Sequence, residues 1–368
     1  MSAYEFGWTK EALDRSLAKI VANSRRIGAT FPHKAADGRY DAEAIDWWTN
    51  GFWPGLLWLA YMETDDASLA ALAKSCEAAL DRALAEYYGL HHDVGFMWTL
   101  SATAQFKLLG TEASKRRGLI AASYLASRFN LKGRFVRAWN EDRPGWVIID
   151  SLMNMPLLYW ASETTGDPRF RFVAEAHTET VLREFIRPDG SSHHIVCFDP
   201  YTGRRERALA GQGYREDSAW SRGQAWALYG LALAHRYTNE PVYAAAARRV
   251  ADFFLAGLPE DGVPYCDFKP DGEETIRDSS AAACAASGML ELCRRLPERE
   301  GARYRDGAVR MLKSLYERYG AWDREDEEGL IVNGAVDCHQ KRQVSLIYGD
   351  FFFAEALQKL ETGKHFFW

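Results

Sequence analysis

Two aspartates stand where a carboxylate is costly. Asp150 follows Trp146-Val147-Ile148-Ile149 and precedes Leu152-Met153, and Asp93 lies in His91-His92-Asp93-Val94-Gly95-Phe96. A carboxylate in apolar company must be paired, or neutral with a raised pKa. A partly neutral carboxyl can give a proton and take one back. For each residue the alternative is a helix N-cap, a position that Asp fills well and that Asp93 reaches by opening an apolar helix. Together the two would make a paired-carboxylate site of the glycosidase kind. His91 and His92 raise the question of a metal, but no third or fourth ligand stands at a recognisable spacing, so none is expected. Arg222, in Ser218-Ala219-Trp220-Ser221-Arg222-Gly223-Gln224-Ala225-Trp226, sits in an apolar stretch. It needs an anion there, either a protein carboxylate or one on a ligand. His194 and Gln212 lie in the long segment before it and by themselves read as ordinary loop residues.

These side chains need elements to position them. Apolar residues recur at helical spacing almost everywhere, with stripes such as Leu13, Leu17, Ile20, Val21 and Leu69, Leu72, Cys76, Leu80, Leu84. The pattern predicts about twelve helices, starting near Thr9, Gly51, Asp66, Val94, Glu112, Ile148, Pro168, Ser218, Glu240, Ser279, Gly301 and Val344. Alternation typical of strands is short, around residues 198–201 and 263–268. Links after the even-numbered helices are tight: Thr64-Asp65, Leu109-Gly110, Thr165-Gly166, Thr238-Asn239, Pro297-Glu298. Links before most even-numbered helices are long: 26–50, 130–147, 188–217, 259–278 and 320–343. Tight turns join antiparallel neighbours, so the chain reads as helical hairpins with their long loops at one end. The even helices are apolar nearly all round and the odd ones amphipathic, which places the even set inside. One marker per hairpin (Trp48, Asp93, Asp150, Trp220, Asp278, Tyr348) gives a loose repeat. The fold expected is all-α, an (α/α)6 barrel in a single domain spanning residues 1–368. Its pocket would lie over the N-terminal ends of the inner helices, whose free N–H groups and positive dipole ends favour an anionic ligand.

The 368 residues carry 45 basic and 51 acidic side chains, a formal charge of −6. That balance argues against nucleic acid or a membrane surface as partner. No stretch of 18 apolar residues is present, and the start of the chain, with Glu5, Lys10 and Glu11, shows no secretory leader. A cytoplasmic protein is expected, and its six cysteines, without C-x-x-C or zinc spacing, read as reduced and mostly buried. No G-x-G-x-x-G, P-loop or G-x-S-x-G appears, which removes the common nucleotide sites and the hydrolase elbow. The 13 tryptophans are a surplus. Trp58 and Trp160, deep in apolar runs, read as core. Trp48, Trp53, Trp220 and Trp226 fall at the loop end of the inner helices, where they would form a wall for the flat faces of sugars. The sequence carries no signature of an oligomeric state.

Several of these motifs together resemble glycoside hydrolase family 88, the unsaturated glucuronyl hydrolases. They are His92-Asp93-Val94-Gly95-Phe96, Ile149-Asp150 with Asn154 one turn on, Ser221-Arg222-Gly223-Gln224-Ala225-Trp226, and Tyr348-Gly349-Asp350-Phe351-Phe352. The resemblance runs over residues 48 to 357. It implies an (α/α)6 barrel with neither metal nor organic cofactor. It also implies a substrate, an oligosaccharide made by a polysaccharide lyase that ends in a 4,5-unsaturated uronic acid. In such a reaction an Asp protonates C4 of the enol ether, water adds at C5, and the hemiketal opens to release the next sugar. By motif match Asp150 would be the acid and base and Asp93 the assisting carboxylate. His194, Gln212, Arg222 and Trp226 would line the uronate subsite, Trp220 and His92 would lie nearby, and Trp48, or Trp47 in its place, would form an aromatic wall. Family members that take sulfated fragments share a Ser-x-x-Ser-x-Lys stretch before Tyr-Gly-Asp. Here the region reads Val336-Asp337-Cys338-His339-Gln340-Lys341-Arg342-Gln343, without the serines, so a sulfate preference is not implied. The alternatives are an unsaturated rhamnogalacturonyl hydrolase, a sugar epimerase on the same barrel, which His91, His92 and His194 fit poorly, and a non-catalytic oligosaccharide-binding protein.

Overall fold

The computed structural model describes residues 7–140, 142–270, 272 and 275–368; part of the leader reading rests on residues outside these. Among the described residues, twelve helices alternate between an outer and an inner layer. They are α1 (Gly7–Ile27), α2 (Phe52–Thr64), α3 (Ala67–Ala79), α4 (Val94–Trp98, continuing through a π-turn Thr99–Thr103 to Ala104–Leu109) and α5 (Glu112–Ser127). There follow α6 (Pro156–Thr165), α7 (Pro168–Glu184), α8 (Ser221–Thr238), α9 (Pro241–Ala256), α10 (Ser279–Arg294), α11 (Glu298–Arg318) and α12 (Ile347–Thr362). The short helix Asp81–Glu86 extends α3. Each even helix packs on the next, α2 on α4, α4 on α6, α6 on α8, α8 on α10, α10 on α12, and α12 returns to α2. The inner ring is therefore closed, and the expected (α/α)6 barrel is the fold.

The layering follows from side-chain pattern. On α8 every residue from Ser221 to Ala234 is buried, as is every residue of α10 from Ser279 to Leu292. On α11 the buried residues are one stripe, including Tyr304, Ala308, Met311, Leu312 and Leu315 at steps of three or four. Four hairpins turn on a left-handed residue just past the inner helix: Asp65 (φ 55°), Gly110 (65°), Gly166 (71°) and Asn239 (59°). Its N–H returns to a carbonyl four residues back and ends the helix. Trp58 and Trp160 are core, as their apolar surroundings required.

Three expectations change. The sixth helix does not begin at Ile148. Residues 146–148 form strand β1 (Trp146–Ile148), which pairs with β2 (Ile195–Phe198), itself paired with β3 (Arg205–Leu209). A 3₁₀ turn, Ile149–Met153, follows, and α6 starts only at Pro156. Pro156 has no N–H to bond back into that turn, and the β-branched run before it suits a sheet. Residues 263–268 form only isolated bridges, Tyr265 to Arg277 and Trp220 to Asp267. The cysteines are not all reduced: Cys266 and Cys338, 72 residues apart and with Cα atoms 5.7 Å from each other, form a disulfide that ties two mouth loops. Cys76, Cys197 and Cys284 are buried thiols and Cys293 a half-buried one.

The inner helices approach closely. At Gly95, a Cβ would lie 2.4 Å from Asn154 Cα, on the segment leading into α6. In a free helix Gly→Ala gains about 0.5–1 kcal/mol. Here the backbone must shift, and overpacking costs about 1–3 kcal/mol. Gly95→Ala should therefore lower stability in urea unfolding; a variant as stable as the parent would refute this packing.

Candidate active site

The six marker residues, one per hairpin, come together at the loop end of the ring. Asp93 stands at the N-cap position of α4, yet its carboxylate caps nothing. The N–H of Phe96, the donor that an N-cap side chain ordinarily takes, goes instead to Asn154 Oδ1 at 2.8 Å. With its oxygen committed, Asn154 turns Nδ2 toward Asp93 Oδ1 (2.9 Å) and the Asp150 carbonyl (3.3 Å). Asp93 Oδ2 faces His91 Nδ1 at 3.1 Å and His92 Nε2 at 3.4 Å. The same His92 nitrogen lies 3.7 Å from Asp150 Oδ1. One imidazole nitrogen thus stands between two carboxylates.

Their ionisation is split. Burial raises the Asp150 carboxyl and the charge of Asp93 raises it further, to about 7, against smaller opposing pulls from His92 and Arg222. Burial acts upward on Asp93 too, but His92 and His91 outweigh it and hold Asp93 well below the usual carboxylate range. Burial would lower His92; Asp93, aided by Asp150, leaves it raised. Near neutrality the site holds an ionised Asp93 beside an Asp150 that is still partly protonated. Opposed pKa values in one carboxyl pair separate an acid from an electrostatic partner.

Asp150 rides on the 3₁₀ turn, and that turn is pinned from two directions. Ile149 N–H donates to the His194 carbonyl at 3.0 Å. Ser151 Oγ donates to the Ile148 carbonyl at 2.6 Å and meets His177 Nε2 at 2.7 Å. His177 Nδ1 accepts from Val136 N–H at 3.0 Å, so Nε2 carries the hydrogen. Burial, with His92 nearby, pushes His177 down to about 3, which keeps it neutral in that role.

Arg222 resolves toward a protein partner. Buried between the rings of Trp220 (4.6 Å) and Tyr348 (5.2 Å), it pairs with Asp278 at 2.6 Å. It also donates to the carbonyls of Ala335 (2.7 Å) and Val336 (2.9 Å) and to Gln212 Oε1 (2.7 Å). Asp278 meanwhile caps α10 through Ser280 and Ala281 N–H. Arg222 is thus the hub of the mouth loops, and Gln212, its oxygen taken, has its NH₂ to offer. His194 Nδ1 accepts from Gln212 N–H at 2.9 Å, its ring lies 4.3 Å from Trp220, and burial pushes it down to about 3.

The tryptophan wall is smaller than the sequence suggests. Trp53 is 1% exposed and donates its indole N–H to the Gly28 carbonyl, so it is core. Trp226, also 1% exposed, packs among Phe96, Tyr348 and Phe352. Trp220 is 3% exposed, with an indole N–H that has no partner. Trp48 is half-buried, its ring 5.1 Å from that of Tyr348. Trp47 is the more exposed neighbour and contacts His33 at 5.4 Å. Helical position alone does not separate a ring that lines a mouth from one that fills the space behind it.

Sequence reasoning left out His177 and Ser151, and it gave Asn154 no role. Asn154 could have been found one turn after Asp150; His177, on an outer helix, carries no local signal. His91, His92 and Asp93 place three donor atoms within 4.8 Å of one another. The third donor absent from the sequence spacing is Asp93 itself, already shared by both histidines and Asn154.

The profile of Glycosyl Hydrolase Family 88 matches residues 23–334. An unsaturated glucuronyl hydrolase of Bacillus sp. (strain GL1) is 38% identical over 373 residues, covering 98% of each chain. An unsaturated chondroitin disaccharide hydrolase of Streptococcus pyogenes serotype M1 is 37% identical over 368 residues, 97% of this chain and 92% of that one. The crystal structure of the unsaturated glucuronyl hydrolase from Bacillus sp. GL1 superposes with a TM-score of 0.94 at 37% identity over 98% of both chains.

The raised carboxyl has a thermodynamic signature. Between about pH 4, where a carboxyl ionises in an unfolded chain, and about 7, native Asp150 holds a proton that the unfolded chain has lost. Its contribution to stability therefore falls as pH rises through that window and stays lost above it. Asparagine does not titrate, so the Tm of Asp150→Asn relative to the parent should be higher at pH 8 than at pH 5. An equal difference at both pH values would contradict the assignment.

Proposed function

The chain belongs to glycosyl hydrolase family 88, and on that premise we propose that it works as an unsaturated glucuronyl hydrolase, with Asp150 as acid and base and Asp93 as the assisting carboxylate. The observation that supports these roles is the pair of carboxyls facing one His92 nitrogen, one held ionised and the other still partly protonated near neutrality. Protonating a carbon of an enol ether requires an acid that still has its proton at the working pH, which an ordinary Asp does not.

In this reading the unsaturated uronic acid of a lyase-made oligosaccharide enters the mouth of the ring. Its carboxylate meets the N-terminal ends of the inner helices and the Gln212 NH₂, in the field of Arg222. Trp48 and Trp220 flank the sugar, His194 borders it as a neutral ring, and Trp226 backs the floor. Asp150 delivers its proton to C4, and positive charge develops at C5 and the ring oxygen. Ionised Asp93 stabilises that charge. Water adds at C5 and returns a proton to Asp150; the resulting hemiketal opens to a C5 ketone, which leaves a hemiacetal at C1 that collapses to an aldehyde and releases the next sugar. The whole chain acts as one catalytic domain. Among the described residues no helix is long and apolar enough to cross a membrane. A cytoplasmic location rests on the sequence alone, and the Cys266–Cys338 bond runs against it, since such bonds persist in oxidising compartments.

Incubation with lyase-generated unsaturated disaccharides should erase the ultraviolet absorbance of the double bond; folded protein that leaves every one intact would end the reading. In Asp150→Asn, kcat should fall by about 10²–10⁴-fold while the disaccharide still binds, as calorimetry would show. In the parent enzyme kcat should decline as pH rises through about 7, where Asp150 loses its proton. Rates that stay level to pH 9 would remove Asp150 from the acid role.

A further inference from the structure

One buried imidazole has no part in the chemistry above. His33 lies in the long segment between α1 and α2, is 7% exposed, and its Nδ1 has no hydrogen-bond partner. Glu43 Oε1 stands in front of that nitrogen at 3.5 Å. An N–H···O bond reaches only to about 3.2 Å. A hydrogen on Nδ1 would thus be poorly used, and a lone pair there would face those of a carboxylate oxygen. Burial pushes the ring down to about 4, so near neutrality it is uncharged and has a lone pair to give.

Asp41 completes the group. Its Oδ1 accepts the backbone N–H of His33 at 2.7 Å and of Lys34 at 3.1 Å, so the carboxylate is fixed against the same loop. His33, Asp41 and Glu43 each bring one donor atom within 4.8 Å of the others. Burial, and then the charge of Asp41, raise the Glu43 carboxyl against a smaller pull from Lys34. Two acids that repel and a neutral imidazole whose nitrogen has no partner share one need, a cation between them. Zinc binds imidazole nitrogen and carboxylate oxygen at about 2.0–2.2 Å, so two such donors at a tetrahedral angle stand about 3.4 Å apart. His33 Nδ1 and Glu43 Oε1 are already at 3.5 Å.

We propose that His33, Asp41 and Glu43 form a binding site for a divalent cation of the zinc class, apart from the carboxyl pair, which anchors the loop behind the aromatic residues of the mouth. One imidazole with two carboxylates suits zinc better than calcium or magnesium, which take oxygen donors. The fourth position is left to water. The His33 ring lies 5.4 Å from that of Trp47 and 6.2 Å from those of Trp48 and Tyr348. Its backbone carbonyl accepts the N–H of Ile347, the first residue of α12, at 3.0 Å. An ion that holds this imidazole therefore joins the 33–43 loop to the start of α12 and steadies the rings between them.

The test is calorimetric titration of Zn²⁺ into the full chain after a chelator has stripped it of metal, with Tm followed in parallel. The parent should bind the ion at micromolar concentration, and its Tm should rise as Zn²⁺ is added. Glu43→Gln keeps the shape of the side chain and removes its charge. It should bind about 10–100-fold more weakly, the loss that follows even when an outer partner of a metal ligand is removed, and its Tm should respond correspondingly less. His33→Gln should lose binding as well; should that buried change prevent folding, Glu43→Gln decides. A parent that takes up no Zn²⁺, or a Glu43→Gln that binds it as tightly as the parent, would overturn the inference. Uptake abolished by Asp93→Asn and left intact by Glu43→Gln would place the ion on His91, His92 and Asp93 and overturn it equally.

Discussion

The site depends on one hydrogen bond that goes to an unexpected acceptor. A helix that opens on Asp ordinarily spends that carboxylate on its own first turn. In α4 the first-turn N–H of Phe96 is taken by Asn154, from the segment before the neighbouring inner helix. That substitution releases the Asp93 carboxylate into the pocket. It also fixes which way the Asn154 amide points, so the NH₂ is left for Asp93 and for the backbone of Asp150. One side chain therefore caps a helix, supports the charge of one carboxylate and sets the position of the other. The closeness it needs explains why a side chain at position 95 would collide with Asn154.

The electrostatics follow from that placement. Two carboxylates near one imidazole cannot both ionise cheaply, and their surroundings differ enough to decide which one does. Asp93 has two histidines and an amide donor; Asp150 has a less favourable, largely buried environment and the charge of its neighbour. The cation that might have levelled them, Arg222, is committed to Asp278 and to loop carbonyls. His194 and His177 are held neutral by burial and serve through direction of their hydrogen bonds. The sheet formed by β1, β2 and β3, absent from an idealised helical ring, is what carries Asp150 to the mouth. Pro156 is the local reason that this stretch is not simply the first turns of α6.

Much of this was legible from residue types. Tight links after apolar segments identified the hairpins because the left-handed residues that end helices, Asp65, Gly110, Gly166 and Asn239, are visible in a sequence. All-round apolarity identified the inner helices because such a segment has no face to give to water. Cost identified Asp93 and Asp150. Where the reading went astray, two outcomes shared one local pattern. Trp53 and Trp48 sit five residues apart at the same helix start, yet one is buried in the core and the other stays half-buried. The residues Val147, Ile148 and Ile149 suit a buried helix and a buried strand alike.

The sequence by itself determined which residues must be buried, where the chain must turn and which polar groups would be expensive, because these depend on transfer from water and on local backbone geometry. The tertiary structure decided the partners. Asn154 reaching Phe96, His177 reaching Ser151, Arg222 reaching Asp278 and Cys266 reaching Cys338 all join segments separated by 26 to 72 residues. A hydrogen bond or a disulfide requires its atoms within a few ångströms, and only the closure of the ring brings those segments together.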